Sequence, residues 1–167
     1  TNLKNLENTL NSFNKKPDLV ITDSQYFKEV YNILHKGIRL TSFSVLFSAF
    51  KADINYYIES VKKLDHGAKN ILIAEACSHP PISEDIGTVK IPKLLKKRYK
   101  DIEIDFQRGE DFENIEKYDL IIQCGACMFN KKYVMERIKQ AKEKNIPMTN
   151  YGIVIAYLNG ILDKISI

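Results

Sequence analysis

Cysteine is scarce in this chain, and its scarcity is informative. Only three cysteines occur in 167 residues, an odd number that leaves no complete disulfide set. Reduced thiols and a cytoplasmic setting follow as expectations. There is no apolar run of about 18 residues, the length a membrane-spanning helix needs, and no secretory signal. A strong charge excess is also missing. Lysine plus arginine number 25 against 21 acidic residues, a net charge of +4. That is too mild and too scattered for a nucleic-acid footprint. The one basic run, Lys93, Lys96, Lys97, Arg98 and Lys100, reads as a solvated helix face. No internal repeat or low-complexity tract is visible. No Gly-x-x-x-x-Gly-Lys-Ser/Thr occurs, so no phosphate-binding loop can be placed. The chain opens at Thr1 directly in a helical pattern, as an excised piece of a longer protein would.

The residues that are present divide into two units, 1–66 and 67–167. In the first, Leu3, Leu6, Leu10 and Phe13 make a helical stripe, and Leu19-Val20-Ile21 is a short strand. A helix through Phe27, Val30 and Leu34 runs to Gly37. Alternation of Phe43, Val45 and Phe47 with Ser42, Ser44 and Ser48 predicts a half-buried strand over 38–50. Ile54 to Leu64 has helical spacing. Two strands make a poor sheet alone, so this small α/β unit is expected to complete itself against another copy, as a homodimer or higher homo-oligomer.

From Asn70 the pattern becomes regular βα alternation. Strands are predicted at Ile71–Ala74, Ile102–Phe106, Leu120–Ile122 and Pro147–Asn150. Helices are predicted over Ile91–Tyr99, from an Asn130 N-cap, and over Ile153–Ile165, with Gly160 inside the last for close packing. The fold class is therefore α/β, a small α/β unit followed by a parallel sheet of about four strands. That second part is flavodoxin- or Rossmann-like, with helices on both faces.

All three cysteines then fall into one pattern, Cys77-Ser78-His79 and Cys124-Gly125-Ala126-Cys127. Both segments follow the carboxyl ends of apolar strands, the edge at which open parallel sheets bind ligands. Two thiolates three residues apart can grip a single centre that the distant Cys-x-His pair closes. Three thiolates suit an iron–sulfur cluster, and a Cys3His zinc site using His79 is the sober rival. A reversible Cys-x-x-Cys dithiol is the third possibility. A four-iron cluster with three cysteines needs a non-cysteine fourth ligand. Candidates are His79, Glu84, Asp85, a group from a second subunit, or an exogenous molecule. Met148-Thr149-Asn150-Tyr151 leaves the same sheet edge and is placed to roof the site. No residue reads as catalytic.

Three stretches carry a family resemblance: Glu75-Ala76-Cys77-Ser78-His79-Pro80, Cys124-Gly125-Ala126-Cys127, and Pro147-Met148-Thr149-Asn150-Tyr151-Gly152. They resemble the carboxyl-terminal part of HydF, the maturation GTPases of [FeFe]-hydrogenase. Leu19-Val20-Ile21-Thr22-Asp23-Ser24 and Leu40-Thr41-Ser42-Phe43-Ser44 are similar to that family's dimerisation domain. The resemblance implies dimerisation by 1–66 and a [4Fe-4S] cluster on 67–167, held by Cys77, Cys124 and Cys127. GTP would bind only in a domain absent from this chain. It further implies a scaffold or carrier for the diiron subcluster, with radical-SAM maturases and the immature [FeFe]-hydrogenase as partners. One departure is Gln123, where the family pattern often has histidine. That turns attention for the fourth ligand to His79 and Glu84.

Overall fold

The computed structural model describes residues 2–76, 85–109 and 112–167. Two parallel sheets organise them. In the smaller, β1 (Leu19–Thr22) pairs with β2 (Arg39–Ser42), Leu19 opposite Arg39 and Thr22 opposite Ser42. The larger contains β3 (Asn70–Glu75), β4 (Glu103–Arg108), β5 (Leu120–Gln123) and β6 (Met148–Asn150), all parallel in the order β4-β3-β5-β6. The mixed α/β class and the four-stranded parallel sheet expected from the sequence are both present.

β3 and β5 form the centre of the sheet because their sequences are apolar on both faces. Ile71, Leu72, Ile73 and Ala74 of β3 and Leu120, Ile121 and Ile122 of β5 are essentially inaccessible to solvent. Each of these isoleucines and leucines contributes about 1.5–3 kcal/mol through burial. β4 is an edge strand, and its Phe106 is exposed. The helices are α1 (Leu6–Ser12), α2 (Phe27–Ile33), α3 (Phe43–Lys51), α4 (Ile54–Val61), α5 (Ile91–Arg98), α6 (Lys131–Glu143) and α7 (Tyr151–Leu158). Pro92 sits in the first turn of α5, where its missing N–H costs nothing. Asn130 caps α6, its side chain accepting from the Tyr133 amide at 2.9 Å. Asp119 fixes the starts of β3 and β5 together by accepting from the Lys69 and Asn70 amides, each at 2.9 Å.

The two sheets are joined by packed helices. α4 lies against β6 and α7, with the Tyr56 hydroxyl donating to the Ile146 carbonyl at 3.0 Å and Lys142 pairing with Asp53 at 2.8 Å. α7 also packs on α3. At Gly152 any Cβ would collide with the Ser44 side chain, so only glycine permits this approach.

Two segments differ from expectation. The strand expected over 38–50 ends at Ser42, and α3 follows. Ser42 accepts from the Val45 amide at 3.3 Å and so caps the helix. The serine-aromatic pattern also repeats at three and four residues, which puts Val45 and Ser48 inside while Phe43, Phe47 and Phe50 face out. The phenylalanines are therefore not core. The closing helix expected to Ile165 stops at Leu158. Gly160 lies beyond it in the left-handed conformation (φ +69°), where it ends the helix rather than packing inside it. The tail then returns to the small sheet, with Ile165 bridging Leu40 and the Ser166 amide donating to the Leu40 carbonyl at 2.7 Å. Among the described residues no helix is long and apolar enough to cross a membrane.

Candidate metal centre

Strand order dictates where a ligand can enter. From β3 the chain crosses to β4 on one side, then returns past β3 to β5 and continues to β6 on the other. The order reverses between β3 and β5, the place at which open parallel sheets bind ligands. Cys124 follows β5 directly. Cys77, His79 and Glu84, the other sequence-derived ligands, follow β3 and lie outside the described residues.

The two strand ends remain coupled past the ladder. Ala74 lies opposite Gln123, and the Cys124 amide donates to the Ala74 carbonyl at 2.9 Å. The Ala76 amide then donates to the Cys124 sulfur at 3.3 Å. Ala76 immediately precedes Cys77. The backbone that delivers one cysteine is thus hydrogen-bonded to the sulfur of another.

Cys124 and Cys127 are both free thiols, the first half-buried and the second exposed. Between them Ala126 is buried and left-handed (φ +46°), which bends the segment into a tight turn. The turn closes through the Phe129 amide, 3.0 Å from the Ala126 carbonyl. Lys51, at the end of α3, holds it from outside. Its Nζ donates to the carbonyls of Cys127 (3.0 Å) and Phe129 (2.8 Å). Nothing in the local sequence of Lys51 marks this contact, which spans more than seventy positions.

On the opposite side, Glu75 at the end of β3 accepts from Arg108 (3.0 Å) and from the Tyr151 hydroxyl (3.2 Å). Burial raises the Tyr151 phenol, and the adjacent Glu75 and Cys124 charges raise it further. It therefore stays protonated and donates. A Cβ at Gly87 would strike both the Tyr151 hydroxyl and the Glu75 carboxylate, so glycine lets the π-helical turn Ile86–Lys90 return against the end of β3. Asp85 caps that turn, accepting from the Thr88 amide (2.6 Å) and hydroxyl (2.8 Å). Burial pushes the Asp85 carboxyl up, but those Thr88 bonds more than offset this and hold it below the usual carboxylate range. Asp85 is thereby engaged as a cap. Asn150 and Tyr151 reach this same edge, Asn150 capping α7 through the Ile153 amide at 2.9 Å and donating to the Ser44 carbonyl at 3.3 Å.

Behind Cys124 lies Arg137 of α6, a buried cation stacked 3.8 Å from the Phe112 ring centroid. Burial lowers its pKa, while the charged forms of Tyr133, Cys124 and Tyr57 act in the opposite direction. Arg137, Tyr57 and Cys124 thus share one electrostatic environment.

The donor chemistry fits a thiophilic centre. Two sulfurs sit in one turn, and a backbone N–H already serves one of them. Among the described residues, no three His, Cys, Asp or Glu side chains come together as a metal cage.

Comparison with known proteins bears on what this arrangement serves. Among curated proteins no match is found. The hydrogen maturase F dimerization domain matches residues 1–52, and the hydrogen maturase F tetramerization domain matches residues 52–166. With both halves matched in order, the chain belongs to the hydrogen maturase F family, HydF, and takes part in [FeFe]-hydrogenase maturation as a protein built to self-associate.

Proposed function

We propose that this chain is a scaffold and carrier in assembly of the [FeFe]-hydrogenase diiron subcluster. It holds a [4Fe-4S] cluster through Cys77, Cys124 and Cys127, with an exchangeable fourth ligand. The observation that carries this reading is the Ala76 amide bonded to the Cys124 sulfur at the β3–β5 switch point. It ties the approach of the first cysteine to the position of the second.

A cluster bound by three cysteines supplies an iron with one open coordination position. The chain's own groups do the rest. The Ala76 amide orients the Cys124 sulfur, Lys51 fixes the Cys-x-x-Cys turn, and the Glu75–Tyr151 bond anchors the strand end from which the 77–84 segment departs. Asp85 caps its turn through Oδ1, which favours Glu84, His79 or an exogenous molecule over Asp85 as the fourth ligand. Immature [FeFe]-hydrogenase and the radical-SAM maturases are the proposed partners, and the cytoplasm the proposed compartment.

Anaerobic reconstitution tests the reading. The chain is expected to turn brown, with broad absorbance near 400 nm and about four irons per chain. Cys77→Ala, Cys124→Ala and Cys127→Ala should each abolish it, whereas Glu84→Ala and His79→Ala should retain iron with an altered EPR spectrum. Colourless protein holding one zinc would replace the cluster with a Cys3His site. Metal-free protein with a reversible Cys124–Cys127 disulfide would replace it with a dithiol.

A further inference from the structure

Cys124 also lines a small cavity. Between α3, α4 and the end of β5 lies a cavity of about 10 Å3, lined by Ser48, Lys51, Tyr57, Gln123, Cys124 and Asn150 among others. That is room for about one water molecule.

Most of its polar lining is already paired. Lys51 serves two carbonyls, Ser48 donates to the Ser44 carbonyl at 2.8 Å, and Asn150 bonds to Ser44, Ser48 and Ile153. Two atoms are not. The Tyr57 hydroxyl and the Gln123 Oε1 are buried, each on a side chain 1% exposed, and neither has a hydrogen-bond partner. Leaving a buried polar atom unpaired costs about 1–3 kcal/mol, so the pair together argues for an occupant.

Chemistry narrows what that occupant is. Gln123 Oε1 only accepts, so the molecule must bring a hydrogen. This excludes a bare anion. The buried Arg137 charge, which acts on both Tyr57 and Cys124, disfavours a cation. A neutral, water-sized molecule with O–H or N–H donors remains.

We propose that one buried water bridges the Tyr57 hydroxyl and the Gln123 side chain and directs its second O–H to the Cys124 sulfur. The sulfur then accepts from the Ala76 amide on one side and from this water on the other. The solvent site stands on the cavity and the two unpaired atoms. Its effect on a cluster rests on the function proposed above, since hydrogen bonds to a ligating thiolate stabilise the more reduced centre and raise its potential.

Two readouts test this separately. A high-resolution crystal structure of the metal-free chain should show a solvent peak within hydrogen-bonding distance of both Tyr57 and Gln123. A direct Tyr57–Gln123 bond, or a dry cavity, overturns the site. In the iron-loaded chain, Tyr57→Phe and Gln123→Leu should keep full iron but shift the midpoint potential to more negative values. Tyr57→Phe removes one oxygen and leaves the packing intact, so it guards against misfolding in the second variant. Unchanged potentials in iron-replete variants overturn the tuning role. A wild-type chain that takes up no iron contradicts the cluster reading instead, and the crystallographic readout alone then decides the solvent site.

Discussion

Lys51 shows how a single residue can govern a site from far away. Its ammonium is the only side-chain group among the described hydrogen bonds that ties α3 to the Cys124–Cys127 turn. Lys51→Met should loosen that turn, costing about 1 kcal/mol in urea unfolding. Alkylation of Cys127 in metal-free protein should become several-fold faster; an unchanged rate would mean the turn holds itself. Asp119 offers a pH test. The Asn70 and Lys69 amides lower its folded pKa beneath that of an unfolded aspartate, about 4. Its contribution is therefore complete above that value and lost as pH falls through the lowered folded one. Asp119→Asn should destabilise the chain at pH 7 and make little difference near pH 2, as read by denaturant titration at both pH values. The Asn130 cap was legible in the sequence because its role is local in type and spacing. Lys51, Tyr57 and Arg137 were not, because an ordinary lysine, tyrosine or arginine acquires its role only when distant elements meet around Cys124.

At the scale of elements, legibility followed the strength of the pattern. β3 and β5 are short continuous apolar runs set in a regular βα alternation, and both appear where expected. α3 failed because Phe-Ser-Val-Leu-Phe-Ser fits a period of two and a period near four at once, and the Ser42 cap decided between them. Ser42→Ala should therefore cost about 1–2 kcal/mol, losing the cap and a hydrogen bond from the buried Ser24 hydroxyl. A far-UV CD melt unchanged from wild type would show that α3 needs no cap. Gly160 was misplaced for a related reason, since a glycine late in an apolar stretch signals either packing or a helix end. Its positive φ settles the matter, and Gly160→Ala should cost about 1 kcal/mol.

For the whole molecule, self-association is written into the surface. Among the described residues twelve large hydrophobic side chains are exposed, and eight of them, including Phe43, Phe50 and Ile21, fall in the segment matched by the dimerization domain. The tail from Ile165 occupies one flank of β2, and β1 pairs only with β2, so β1 is the edge that a second copy can extend. Ile21→Lys should weaken the dimer in sedimentation velocity; an unaltered distribution would place the contact elsewhere. The larger sheet, which lies in the segment matched by the tetramerization domain, reverses its strand order between β3 and β5, and the proposed function has the cysteines that follow those two strands converge there. The proposed cluster site depends on that convergence. Its most direct test is an iron-edge anomalous map from crystals of the anaerobically reconstituted chain. One compact iron peak within bonding distance of the Cys77, Cys124 and Cys127 sulfurs together is expected, and iron bound with the Cys77 sulfur remote from it would refute that convergence.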